Sequence, residues 1–132
     1  MDHGSFSKSF KIQGREPIEM NPKDAEDRKI KNGDIVKLFN DRGACLGGVN
    51  INNKVRRGVV QISTGAWYDP EDPKKINTLC KHGNPNVLTR DKGTSKLGQG
   101  PIAHSCLIDI ELYKNKAPIV TAHVPPIIIR EN

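Results

Sequence analysis

The sequence predicts a mainly β domain with one short helix and one long loop. Three observations predict it. β-rich or alternating runs recur at DIVKLF (34–39), ACLGGVNI (44–51), GVVQIST (58–64) and CLIDIEL (106–112). A single helix start, Asn21-Pro22, is followed by a stop at Asn32-Gly33. Between Ala66 and His104 no periodic pattern appears. At 132 residues the chain is one domain by length, with little room for a second module beside its core.

The elements follow in order. Residues 1–18 are polar, with Phe6, Phe10 and Ile12 as isolated anchors. Asn21 suits an N-cap and Pro22 the first helical position. Asp24 and Glu26 favour the first turn of the helix dipole. A helix of about two turns is expected, ending near Lys29. After strand 34–39, Asn40-Asp41-Arg42-Gly43 reads as a turn, with Gly43 free to take a positive φ. Gly47-Gly48 within the next strand predicts a bulge or a close backbone approach. Strands 58–64 and 106–112 follow, and PIVTAHVPPIII is expected to add an edge segment. The stretch from Ala66 to His104 is too long for a structureless loop in a compact domain. Its apolar pegs, Trp67, Tyr68, Leu79, Val87 and Leu88, imply order, so it reads as functional.

Composition excludes several classes. The net charge is +6, but the bases are scattered and do not interleave with aromatics, which argues against nucleic acid. No apolar run is long enough to span a bilayer, and the N-terminus lacks a signal-peptide core. Cys45, Cys80 and Cys106 are odd in number and form no C-x-x-C, against a disulfide framework or a structural zinc. Cys80-Lys81-His82 reads as a loop cysteine beside a loop histidine rather than a ligand pair. No Ser–His–Asp set or G-x-S-x-G motif exists, and the four histidines lack metal spacing. Asp69, Glu71 and Asp72 read as turn acids beside Pro70 and Pro73. No catalytic and no metal-ligating residue is assigned.

CKHGNPNVLTRDKGTSKLGQG (80–100) has binding chemistry instead. Asn84, Asn86 and Gln99 present donor and acceptor together, and Thr94 and Ser95 add hydroxyls. Gly83, Gly93, Gly98 and Gly100 permit close backbone approach. Lys81, Arg90, Lys92 and Lys96 suit phosphates. The set fits a fused heterocycle bearing phosphates. It equally fits a surface loop built of turn residues, and residue chemistry alone leaves the two readings balanced.

GREPIEMNPKDAEDRKIKNGDIVKLFNDRG, GVVQISTGAWYDP, CKHGNPNVLTRDKGTSKLGQGP and the tail APIVTAHVPP resemble one family across residues 14–126. It is the C-terminal molybdopterin-dinucleotide-binding domain of trimethylamine N-oxide, dimethyl sulfoxide and biotin sulfoxide reductases. The resemblance implies a six-stranded double-psi β-barrel with one or two short helices. It divides the chain into an incomplete lead-in (1–13), the barrel (14–113) and a C-terminal tail (114–132). It implies a role in clamping a molybdenum bis(molybdopterin guanine dinucleotide) cofactor, together with the remaining domains of the reductase. By the same resemblance His82, Asn84 and Asn86 lie near the pterins, and Gln99-Gly100 is a second contact. Asp2 and His3 are what remains of a further contact region. Trp67, in GAWYDP, either packs at the cofactor or fills the core.

Two departures stand out. The chain begins after a strand and a His-Ser-Gln turn that the family places before it, and it lacks the molybdenum-ligating serine and the other domains. The expectation is therefore a fragment, an excised domain or a split subunit that turns over no substrate alone and binds cofactor weakly alone. Glu19 stands where the family often has an aromatic. The choice among N-oxide and S-oxide substrates rests with absent domains. The expected compartment is the periplasm, with the cytoplasm open through the biotin sulfoxide branch. Two rival readings are a basic nucleic-acid-binding barrel and a self-processing decarboxylase of the same barrel fold, cut at Gly4-Ser5.

Overall fold

The computed structural model describes residues 6–102 and 105–129. They form a five-stranded mixed sheet. The strands are β1 (Pro17–Met20), β2 (Ile35–Phe39), β3 (Ala44–Ile51), β4 (Val60–Ile62) and β5 (Asp109–Leu112), in the order β4-β1-β3-β2-β5. β1 runs parallel to β3; the other three pairings are antiparallel. One α-helix, α1 (Pro22–Asp27), and two 3-10 turns (Phe6–Phe10 and Pro85–Val87) complete the regular structure. The mainly β class is as expected. Five strands are present among the described residues, with β4 and β5 at the sheet edges.

β3 is central, and Cys45 to Val49 are buried on both faces. Its pairing with β2 continues through Gly47 and Gly48, so the glycines mark close approach rather than a bulge. A side chain at Gly48 would collide with Ile12, and one at Gly47 with Ile18, including the Glu16 carbonyl at 3.0 Å. Ile18, Met20, Val36, Leu38, Cys45 and Val49 of the sheet form one core with Ala25 of α1, Ile30, and Cys80 and Leu88 of the long loop.

α1 begins as its residues dictate. Asn21 accepts the Lys23 N–H at 3.1 Å, and its amide donates to the Val55 carbonyl at 2.9 Å. Lys29 ends the turn at φ +56, so the helix stops at Asp27, slightly before the expected end. β1 was not expected: PIEM shows only Ile18 and Met20 pointing inward between Pro17 and Glu19. Phe6 and Phe10 are not anchors; they are 80% and 59% exposed and meet each other edge to face at 5.0 Å.

Gly43 does not use its freedom to take a positive φ; glycine is required there because a Cβ would stand 2.6 Å from the Val87 carbonyl oxygen. Among the described residues the tail adds no strand. Among the described residues no helix is long and apolar enough to cross a membrane.

Candidate functional site

The loop that follows β4 is tied down by side chains far away in sequence. Asn40 donates to the Leu88 carbonyl at 2.9 Å and to the Leu107 carbonyl at 3.1 Å. Arg42 Nε donates to the same Leu88 carbonyl at 2.8 Å. Leu88 itself is buried in the core. The segment 80–88 is thus fixed at both ends, since the Cys80 amide and carbonyl bond Ala44 and Leu46 across β3.

Within this segment the expected contact residues separate into two kinds. His82 is fully buried, and its Nδ1 lies 2.9 Å from the Trp67 carbonyl. Its ring stands edge-on to that of His123, with centroids 5.2 Å apart. The ring is thus enclosed by its neighbours in this fold. Lys81, expected to face phosphates, is also enclosed, 3.3 Å from Asp69. Asn84, by contrast, caps the 3-10 turn and accepts the Asn86 N–H at 2.9 Å, and Asn86 is exposed.

Residues 92–102 form an exposed finger. Thr94 N–H donates to the Gly100 carbonyl at 2.8 Å, and Ile102 N–H to the Lys92 carbonyl at 3.0 Å. Gln99 sits at its turn with φ +43. That left-handed conformation costs a residue with a Cβ about 1–2 kcal/mol, the kind of strain that collects at functional sites. Arg90, Lys92 and Lys96 are exposed beside it. A cleft of about 780 Å³, walled by Arg42, Arg90, Ile102, Leu107 and Asp109, opens at its base. His82, Asn84, Asn86, Gln99 and Gly100 do not line this cleft. The structure therefore sets the two expected contact groups on separate parts of one loop. Asp2 and His3, and the Gly4-Ser5 of the self-processing reading, lie outside the described residues.

Trp67 does not fill the core: it is 44% exposed. Its ring lies 5.2 Å from that of His123, which comes from the C-terminal tail. Asp69 was read as a turn acid and is instead buried against the tail, accepting from Thr121. Thr121 and His123 gave no signal of their own in the sequence beyond membership of the stretch APIVTAHVPP. Glu71 and Asp72 do act as turn residues, Asp72 through Lys74 N–H at 3.0 Å and Thr78 at 3.1 Å. No cluster of His, Cys, Asp or Glu among the described residues could hold a metal ion.

Residues 2–107 match a family model described as "Molydopterin dinucleotide binding domain", well over half of the chain. The chain belongs to this family. The dinucleotide-binding domain is 47% identical, over 92% of its length, to a trimethylamine-N-oxide reductase of Salmonella typhi. Identity is 43% over 93% to that of Vibrio cholerae, and 45% over 89% to trimethylamine-N-oxide reductase 1 of Escherichia coli. It spans 14–15% of the length of these relatives.

The exposed residues of this loop have the chemistry that a dinucleotide requires. Asn86 and Gln99 are exposed amides, able to meet both donors and acceptors of a purine edge. Arg90, Lys92 and Lys96 bring positive charge for phosphates, opposed within 84–100 only by Asp91.

Proposed function

We propose that this domain clamps the molybdenum bis(molybdopterin guanine dinucleotide) cofactor of a molybdenum-dependent N-oxide reductase of the trimethylamine-N-oxide type. The observation that carries the proposal is the exposed donor set between Asn84 and Gly100, on a loop anchored to the core at Leu88. Asn84, Asn86, Gln99 and the Gly100 backbone are the proposed polar contacts. Arg90, Lys92 and Lys96 screen the phosphates. Trp67 offers an aromatic face; its backbone carbonyl meets His82 Nδ1 and its ring neighbours that of His123. Asp2 and His3 extend the clamp on the family resemblance alone. When bound, the cofactor supplies molybdenum-centred redox chemistry. This chain binds, orients and screens charge, and it contributes no catalytic residue.

The finer architecture belongs to the same proposal. The fold in the assembled reductase is a double-psi barrel, to which residues 14–113 contribute the five-stranded sheet and which 114–132 follow as the tail. The remaining domains of the reductase cover the loop, and the proposed compartment is the periplasm, by family resemblance.

A titration of isotope-labelled chain with guanosine diphosphate, read by amide shifts, tests the reading. Shifts gathered between Asn84 and Gly100 support the clamp. Shifts on a well-folded chain gathered elsewhere sink it. Binding is expected to be weak, because a clamp shared among domains leaves each with part of the contacts.

A further inference from the structure

The C-terminal tail from Pro118 to His123 is fastened to the body by a polar clasp. Arg15, almost fully buried, donates through one Nη to the Pro118 carbonyl and through the other to the Gln13 carbonyl at 2.9 Å. Val120 lies over Gly14. Asp69 then grips Thr121 twice: Oδ2 accepts the backbone N–H at 2.6 Å and Oδ1 the hydroxyl at 2.7 Å. The Thr121 hydroxyl also accepts from Lys81 Nζ at 2.8 Å, using its donor and one lone pair. Lys81 lies 3.3 Å from Asp69, with side chains 11% and 6% exposed. Two residues on, His123 meets the rings of Trp67 and His82, each at 5.2 Å.

Asp69 is two residues from Trp67, and Lys81 is next to His82. One clasp therefore aligns three strands of chain, 67–69, 81–82 and 121–123, around a single aromatic cluster. We propose that Asp69 is a positioning residue: by gripping Thr121 it seats the tail so that His123 backs the Trp67 ring and fixes its orientation. Asp69 touches no ligand in this role. Apolar packing of this segment is limited to half-buried Val120 over Gly14, since Ile119 and Val124 are exposed, so the polar clasp supplies the register. The consequence for the cofactor rests on the proposed role of Trp67; the clasp itself does not.

Trp67 is the only tryptophan, so its emission reports the cluster directly. Thr121→Val keeps the side-chain shape and loses the hydroxyl; Thr121→Ser keeps the hydroxyl. Asp69→Asn removes the charge. With secondary structure checked by circular dichroism, Thr121→Val and Asp69→Asn are expected to shift Trp67 emission and raise its acrylamide quenching at least twofold. Exchange of the residue 121 amide is expected to quicken at least tenfold in Asp69→Asn. Thr121→Ser is expected to behave as the parent chain. Unchanged emission and quenching in folded Thr121→Val and Asp69→Asn would overturn the proposal, as would a Thr121→Ser chain that behaves like Thr121→Val. Guanosine diphosphate shifts measured on the same variants separate the two ideas. Altered emission with unaltered nucleotide shifts leaves the clasp standing and removes Trp67 from the cofactor site.

Discussion

Gly83 is the tightest point of the candidate loop, and replacing it tests how the loop is held. Its φ is +98, and an added Cβ would lie 2.8 Å from Glu16 Cβ, 3.1 Å from the Leu46 carbonyl oxygen and 3.3 Å from Glu16 N. Glu16 has little freedom to retreat. Its N–H donates to the His82 carbonyl at 3.0 Å, and its carboxylate pairs with Lys11 at 2.7 Å, both side chains being nearly buried. Gly83→Ala therefore meets two penalties. The positive φ costs about 1–2 kcal/mol for a residue with a Cβ. Overpacking against a fixed neighbour adds about 1–3 kcal/mol. The expected loss is about 2–5 kcal/mol, a large share of the stability of about 5–15 kcal/mol typical of a domain. Gly33→Ala separates the terms: its φ is +86, with nothing within 4 Å of the added Cβ, so only the backbone cost of about 1–2 kcal/mol applies. Urea denaturation of both variants, compared at equal m-values, reads the difference. If Gly83→Ala costs no more than Gly33→Ala, the loop is not pressed against Glu16 and the account of its anchoring is wrong.

Other outcomes follow from single contacts. Burial alone would raise the Asp69 carboxyl, but hydrogen bonds from the Thr121 hydroxyl and amide and from Lys81, with the Lys81 charge, outweigh it and lower its pKa below the ordinary value. The sign is that of a depressed carboxylate: its contribution is full above about pH 4, the unfolded value, and fades as pH falls through the folded one. Asp69→Asn should lose about 1.5–3 kcal/mol at neutral pH and show a flatter stability curve below about pH 4, measured by urea melts across pH. Asn21→Ala should cost about 1 kcal/mol through the lost cap, with a further loss from the Val55 carbonyl it leaves; an unchanged melt would contradict the helix start. Burial, with smaller contributions from Cys80 and Cys106, pushes the Cys45 thiol up to about 12. Alkylation of the native chain should therefore modify the partly exposed Cys106 and spare the buried Cys45 and Cys80, as peptide mass mapping would read.

What the sequence made legible was local. Asn21, Pro22 and the acid at Asp24 start a helix through groups within a few residues of one another, so pattern alone finds them. β3 and β2 were visible because their apolar runs are long and paired in sequence order. β1 was hidden because it has four residues, two of them Pro and Glu, and becomes a strand only between β3 and β4, distant in sequence. The loop's amides and cations suit a ligand and a surface turn equally in the sequence, and it is the family resemblance that favours the proposed binding loop. The same composition argument failed at Lys81. A lysine in a glycine-rich stretch reads as a phosphate contact only while nothing else claims it. Here Asp69 and Thr121 claim it, and Thr121 stands 40 residues away. No spacing rule reaches that far, because the partners are chosen by how the tail folds back and not by the chain between them. For the same reason Asp69 reads as a turn acid from its proline neighbours, although its charge is spent on a residue 52 positions later. Charged residues that a motif assigns to a ligand are thus the ones a fold most easily reassigns, since a buried charge needs a partner wherever the topology brings one.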